Sequence, residues 1–530
     1  MTRFQRFCYN HLGGGVGVKK LPIGIQSFVN IRTEGFYYVH KTKLVKMLVD
    51  EGKYFFLSRP RRFGKSLFLD TLRQAFLSRK ELFEGLYLEN NWDWSVEYPV
   101  IKISFGAGVH KTVDELENTK DVILRNHARD YELKLEEKYT KDRFMELIYK
   151  LYKKCSQKVV ILIDEYDKPI LDNIENPEIA VAMRESLKNF YSVIKDADEY
   201  LKFVFITGVT KFSKVSIFSG LNNLNDITLD PKYGTICGYT QEEFEQVFKD
   251  RLEGVNLEEV RHWYNGYNWL SERVYNPFDV LLYLDKKLLR PYWFETGTPT
   301  FLIKLLMKEK YFLPNLENLE AGDEIVGEFD IENIEATTLL FQTGYLTIKS
   351  VENTAGMSVY TLTYPNLEVK AAFNRHLLDY MVKNRLARDR NMIRLYRILE
   401  KNKIEELKEL FQAFFSSIPY EWYTKNELYK YEGYYASVFY AYFAGIGFDV
   451  RVEDSTSFGK IDMTVKYKGR CYIFEFKVVE GDGKGEALKQ LKEKKYHEKY
   501  MHTCDEIYLV GVEFSKKERN VVNFEYERVK

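Results

Sequence analysis

The chain predicts an α/β multidomain protein, with a parallel-sheet domain first, a mostly helical middle, and a second, smaller α/β domain last. Three observations carry this expectation. Short apolar runs alternate with helical stretches through the first half, as in a parallel sheet covered on both faces. A long helical pattern follows, and a strand hairpin flanked by helices closes the chain. A length of 530 residues exceeds what one core usually organises, so about two to four domains are expected.

The elements can be taken in order. Residues 1–24, with Gly13-Gly14-Gly15, read as a flexible leader. In 25–238, KYFFLS (53–58) is an apolar strand that turns into the helical pattern KSLFLDTLRQAFLS. PVIKISF (99–105), VVILID (159–164) and KFVFITG (202–208) are further strands. Residues 239–400 form the helical middle, where LLFQTGYLTI (339–348) and VYTLTYPN (359–366) predict a helix end and a two-stranded wing. HWYNGYNW (262–269) offers aromatic rings on which bases could stack, and more ordinarily fills a core or an interdomain surface. Residues 401–530 complete the chain.

Composition narrows the class. Lys+Arg 78 against Asp+Glu 78 cancel, which excludes a histone-like binder but leaves room for a local basic groove. Hydrophobic content of 45% with aromatic content of 16% describes a well-cored chain rather than a disordered one. Cys8, Cys155, Cys237, Cys471 and Cys504 include no CxxC pair, so neither a zinc knuckle nor a disulfide framework is indicated. The opening residues lack a secretory h-region, and no apolar run is long enough to span a bilayer. A soluble, cytoplasmic protein without a membrane partner is expected.

The segment IDMTVKYKGRCYIFEFKVV (461–479) concentrates chemistry. Ile461, Met463, Val465 and Tyr467 alternate with Asp462, Thr464 and Lys466. Beyond Lys468-Gly469, Tyr472, Phe474, Phe476 and Val478 alternate with Cys471, Ile473, Glu475 and Lys477. A two-residue hairpin loop at Lys468-Gly469 pairs Tyr467 with Arg470, and counting back sets Asp462 opposite Glu475 with the apolar positions on the other face. Lys477 then points to the side of both carboxylates. Opposed carboxylates repel, and a divalent cation between them reverses the sign. Oxygen ligands suit Mg²⁺ or Mn²⁺, whose bound waters can attack phosphorus, with an ammonium nearby to stabilise developing charge.

The surrounding order is a helix beginning at Glu432, a strand FDVRVED, the hairpin, a helix over GEALKQLKEKKYHEKY and a strand EIYLVGVEF. This resembles the PD-(D/E)XK nuclease core. The resemblance implies Asp462 as the motif Asp, Glu475-Phe476-Lys477 as E-x-K, Glu432 as the helical Glu, and Gln490 with Tyr496 on the following helix. Ile461 stands where the literal motif has Pro. The implied catalytic set is Asp462, Glu475, Lys477, Glu432 and Gln490, with Asp462 and Glu475 on the metal. Lys492–Lys495 lies beside this helix and is a candidate phosphate contact.

The other constellation is LSRPRRFGKSLFLDTL. Gly64, Lys65 and Ser66 match the end of the P-loop (Walker A) pattern GxxxxGK[ST], in which backbone N–H groups cradle phosphates, Lys reaches the β/γ-phosphates and a hydroxyl meets Mg²⁺. Arg59 stands where the first Gly should be, placing a bulky cation near the loop entry. Asp164-Glu165 ends an apolar strand as a Walker B pair does, Asp164 for Mg²⁺ and Glu165 for the attacking water. Thr207 and Thr210 end a sensor-like strand. Arg62, Gly64, Lys65, Ser66, Asp164, Glu165 and Thr207 are the candidate nucleotide contacts, with Ser66 and Asp164 serving Mg²⁺. Arg59, Arg61 and Arg62 are candidates for phosphate or neighbour contacts.

LPIGIQSFVNIRTEGFYYVHKTKLVKMLVDEGKYFFLSRPRRFGKS, ILIDEYDKPI and ITGVTKFSKVSIFSGLNNL are similar to the AAA-ATPase-like family whose members carry a C-terminal PD-(D/E)XK domain. The likeness runs from about Leu21 nearly to the end. It implies a P-loop ATPase-like parallel-sheet domain, a helical lid and winged-helix-like middle, and a restriction-endonuclease-like C-terminal domain. The implied cofactors are ATP and Mg²⁺ or Mn²⁺. The implied activity is ATPase-coupled or nucleotide-regulated, metal-dependent cleavage of nucleic acid, DNA before RNA, with a homo-oligomer as one assembly. The competing expectation is a nucleotide-sensing regulator whose nuclease fold binds nucleic acid without cutting.

Overall fold

The computed structural model describes residues 19–211, 223–294, 300–308, 311–323, 327, 335–382, 385–416, 432–456, 459–481 and 484–530. Most of the expected leader, residues 1–18, lies outside them.

The first sheet contains β1 (Tyr54–Ser58), β2 (Val100–Ser104), β3 (Val159–Asp164), β4 (Leu201–Gly208) and the short β5 (Asn225–Asp226). All its pairings are parallel and the order is β2-β3-β4-β1-β5. Every residue of β1 and β3 is buried, which explains why they read as unbroken apolar runs rather than alternating ones. β1 feeds helix α1 (Lys65–Phe76), whose buried face is Phe68, Leu69, Leu72, Ala75 and Phe76. Because β4 lies between β1 and β3, the end of the sensor-like strand is set between the P-loop and the acidic strand end.

In the middle, β6 (Asn265–Tyr267) and β7 (Val274–Tyr275) form a small ladder before helix α2 (Pro277–Lys286). Asn276 caps α2 through Phe278 N, and Pro277 occupies its first turn. The wing is a three-stranded sheet, β8 (Leu319–Ala321) joining the expected hairpin β9 (Thr347–Thr354) and β10 (Met357–Thr363) in the order β8-β10-β9. Helix α3 (Leu367–Val382) follows.

In the aromatic segment 262–269, His262 is exposed and Trp263 half-buried, but most of the rings are part of the core. Tyr264, Tyr267 and Trp269 are buried, and Phe63 of the P-loop meets Tyr267 and Trp269 edge-on at 4.6 and 5.3 Å between ring centroids. Gly266, at φ 140°, lies so close to the Pro365 carbonyl that a Cβ there would fall 1.8 Å from its oxygen. The segment joins the P-loop to the wing.

The C-terminal unit contains helix α4 (Glu432–Ile446), β11 (Asp449–Thr456), β12 (Gly459–Tyr467), β13 (Arg470–Val479), helix α5 (Glu486–Glu493), β14 (Glu506–Ser515) and β15 (Asn520–Arg528). Sheet order follows the chain, with β13–β14 parallel and the other pairs antiparallel. Two expectations change here. A fifth strand, β15, extends the sheet. The single helix expected over 485–500 stops at Glu493; Lys495 adopts φ 48°, and a 3₁₀ turn, Tyr496–Tyr500, follows. No helix among the described residues is long and apolar enough to cross a membrane.

Candidate functional site

The P-loop is held open as a backbone concavity. Arg62 (φ 66°) and Gly64 (φ 94°) are both left-handed around Phe63, so successive N–H groups turn toward the start of α1. This end of α1 lines a cavity of about 380 Å³, with Arg61, Arg62, Gly64, Lys65 and Ser66 on one side and Glu165 on another. Ile25, Tyr38, Val39, Tyr239, Phe278 and Leu281 extend it with apolar surface. Lys65 Nζ donates to Arg59 O and Pro60 O, each at 2.8 Å. Burial lowers the Lys65 pKa, while Asp164 and neighbouring groups oppose that shift. The lysine thus closes the loop on itself and still faces the cavity.

Arg59 does not reach toward a phosphate. It is fully buried, donating from Nη1 to Ser58 O and Thr228 O at 2.8 Å and from Nη2 to Tyr233 O at 3.2 Å. Its guanidinium stacks over Trp269 at 4.2 Å, and burial brings its pKa down to about 10. The expected cation at the loop entry is instead a strut behind the loop. Arg61 and Arg62 line the cavity, with Arg62 stacked on Phe278 at 4.1 Å.

The acidic strand and sensor-like strand meet as their adjacency requires. Thr207 Oγ1 donates to Asp164 Oδ1 at 2.8 Å, and both residues are buried. Glu165 takes φ 52°, which swings its carboxylate toward Gly106 at the cavity edge. Burial raises its pKa, with Asp164 adding to the effect. Asp167, unassigned from sequence, accepts from Val209 N at 3.0 Å and from Thr210 N and Oγ1 at 2.6 Å each. It pins the end of β4, and Thr210 serves that bond rather than the cavity. The third acidic residue in DEYD was the available signal.

In the C-terminal sheet the hairpin has the expected register. Lys468 (φ 48°) and Gly469 (φ 76°) form its turn, Tyr467 pairs with Arg470, and the ladder runs to Met463 opposite Phe474. The ladder ends there, one residue short of Asp462 and Glu475, and Asp462 Oδ2 accepts from Phe476 N at 2.8 Å. Lys477 Nζ lies 3.5 Å from Glu475 Oε1. Glu475 is 1% exposed and accepts from Gln490 Nε2. Burial raises the Asp462 pKa, against the Phe476 N–H and the charge of Lys477.

Tyr496 is buried close by; burial raises its pKa, and the charges of Glu475 and Asp462 add to the shift. Glu432 is the first residue of α4, and its side chain lies outside the described part of the structure. Ile461 departs from expectation. It packs with Ile473 and Leu491 rather than with Met463, opposite a stretch of β11 where Glu453, at φ 47°, drops out of the ladder.

Two features that hold this site were not foreseen. Gly511, opposite Glu475 on β14, would place a Cβ 2.4 Å from Leu488 N, so its lack of a side chain lets α5 lie directly on the sheet. Glu513, opposite Lys477, is fully buried and accepts from Gly485 N at 3.1 Å and Ala487 N at 3.2 Å at the start of α5. Burial pushes its pKa up, but these N–H donors and Asn523 leave it lowered. Among the described residues, no group of three or more His, Cys, Asp or Glu side chains is placed to hold a metal. Two carboxylates remain, which fits Mg²⁺ with waters and a substrate phosphate completing its shell.

Comparison with known proteins matches two stretches of the chain. Residues 22–218 match a family model described as predicted AAA-ATPase, and 430–524 match one of the PD-(D/E)XK nuclease superfamily. A protein of Azotobacter chroococcum mcd 1, described as "Uncharacterized protein in vnfD 5'region", is 50% identical over 510 residues, covering 96% of this chain and 99% of that protein. The chain belongs to the AAA-ATPase-like family with a C-terminal PD-(D/E)XK nuclease superfamily domain. In this AAA-ATPase-like protein the two matched regions contain the two constellations described above, and 219–429, between the matches, contains the wing and α3.

Proposed function

We propose that the protein is a Mg²⁺-dependent nuclease whose activity is coupled to, or regulated by, ATP at the P-loop. The observation that carries this reading is the convergence of Asp462, Glu475, Lys477 and Gln490 at one crossing of hairpin and helix. Asp462 and Glu475 would hold the metal, with Glu432 as a third contributor. A bound Mg²⁺ or Mn²⁺ supplies a water of lowered pKa and neutralises charge on the scissile phosphate. Lys477 would orient that water or stabilise the developing charge. Gln490 fixes the Glu475 carboxylate, as a supporting residue does for a ligand.

In the N-terminal domain Lys65, Ser66, Gly64 and Arg62 would bind phosphates, Asp164 would serve Mg²⁺ through Ser66 and water, and Glu165, held near Gly106, would act on an attacking water. Thr207 would keep Asp164 in place. The apolar part of the cavity would seat the base. DNA is the favoured substrate and the cytoplasm the favoured location.

The test combines the full chain with single- and double-stranded DNA and RNA, Mg²⁺ or Mn²⁺, and ATP present or absent. Metal-dependent cleavage is expected, with Mn²⁺ found between Asp462 and Glu475 in a soaked crystal. Binding of nucleic acid without cleavage of any substrate would replace the enzyme by a nucleotide-sensing regulator.

A further inference from the structure

Between the two sites lies a buried pair of carboxyl groups that neither constellation uses. Asp279 is in the first turn of α2 and Glu368 in the first turn of α3, and both are fully buried. Glu368 Oε1 accepts from Trp293 N at 2.9 Å, while Glu368 Oε2 and both Asp279 oxygens make no hydrogen bond of ordinary geometry, with each other and the Trp293 and Phe294 N–H groups as their nearest polar influences. Two carboxylates facing each other without a donor repel, whereas one proton between them makes a hydrogen bond.

The pair touches the P-loop on one side. The charge of Arg62 acts on Asp279, Arg62 stacks on the neighbouring Phe278, and Trp293 Nε1 donates to Arg61 O at 3.1 Å. Arg61, Arg62 and Phe278 all line the nucleotide cavity. The buried hydroxyl of Tyr267 and the Tyr264 phenol share the pair's field.

On the other side, α3 leads into the nuclease-type unit. Arg375 Nε donates to Gly445 O of α4 at 2.6 Å, and Lys370 pairs at 2.6 Å with Glu317, which also accepts from Tyr440 of α4. Phe439 of α4 packs on Phe476, the residue between Glu475 and Lys477, at 4.9 Å between ring centroids. A continuous run of packed groups therefore joins Arg62 to the E-x-K strand, with the carboxyl pair as its least satisfied joint.

We propose that the Asp279–Glu368 pair is the joint through which nucleotide in the P-loop cavity regulates the C-terminal site. The inference rests on the functional reading above. A phosphate in the cavity competes with Asp279 for the charge of Arg62, and the pair answers by tightening its hold on the shared proton. That changes how α2 and α3 are held together, and α3 passes the change to α4. Burial raises the pKa of both groups, Asp279 to about 7, in keeping with a proton retained near neutrality.

The experiment compares the full-length wild type with Glu368→Gln and Asp279→Asn, each an amide in place of a carboxyl. Binding of ATP with Mg²⁺ and metal-dependent cleavage with and without ATP are measured at one pH. In wild type, ATP is expected to change the cleavage rate by about 5-fold or more. In either variant ATP binding and nucleotide-free cleavage should stay within about two-fold, while that ATP effect disappears.

An ATP effect that persists in both variants overturns the proposal. So does a wild type that binds ATP and cleaves but shows no ATP effect, although the two activities would then stand. A wild type that neither binds ATP nor cleaves overturns the functional reading itself. Should both variants misfold, amide hydrogen exchange on wild type decides. ATP is expected to alter protection in α3 and α4, and unchanged protection there overturns the proposal.

Discussion

The P-loop and the E-x-K hairpin place their candidate side chains by different means. The P-loop is a run of consecutive residues whose backbone dihedrals make the cradle, so its chemistry depends on what lies behind the loop. Arg59 departs from the usual glycine, yet Thr228, Tyr233 and Trp269 absorb it and the concavity at Arg62–Gly64 remains. The hairpin instead assembles distant residues by strand register, and a one-residue slip would send Asp462 to the wrong face. A loop tolerates substitution where the core accepts it; a register tolerates substitution of neighbours but not insertion.

The largest effect expected from this contrast is at the hairpin. Lys477→Ala should lower metal-dependent cleavage by about 100- to 1,000-fold, with ATP binding unaltered, as measured by cleavage kinetics and nucleotide titration on the same preparation. Next comes Arg59→Gly, which restores the usual glycine but removes three hydrogen bonds and the stack on Trp269. It should cost about 3 kcal/mol of stability without tightening ATP binding; a variant as stable as wild type in urea would show that Arg59 is not a strut.

Lys65→Ala should weaken ATP binding by about 10- to 100-fold and leave nucleotide-free cleavage within a few-fold. The smallest effect concerns pH. Asp279 and Glu368 hold protons more tightly folded than unfolded, so the pair's contribution to stability is fully present below about pH 4 and is lost as pH rises through the Asp279 value of about 7. The double variant Asp279→Asn, Glu368→Gln should lose a pH-dependent difference of about 1–2 kcal/mol between about pH 6 and 7, read from urea midpoints.

What the sequence could convey follows from the same contrast. The strand–loop–helix at 53–76 and the pairing of Tyr467 with Arg470 depend on local pattern and turn chemistry, and both were legible. Gln490 was legible only as a position on a helix, because its bond to Glu475 depends on Gly511 admitting that helix. The burial of Arg59 was not legible, since two of its three acceptors lie about 170 residues away. Nor was the end of α5 at Glu493, because KEKKYHEKY contains neither Gly nor Pro and Lys495 turns left-handed under tertiary packing. β15 has its sequence signal in the alternation of Phe524 and Tyr526 with Asn523, Glu525 and Glu527.

Helix α4 bears on how such a protein can be taken apart. From Tyr435 to Ala444 its described side chains are buried on every side, between the C-terminal sheet and α3. A fragment beginning near residue 401 would therefore bare an aromatic flank including Tyr440, whose hydroxyl partner, Glu317, would be missing. The C-terminal unit is not a cassette. Grafting it elsewhere means carrying α3 with it, and with α3 comes Glu368.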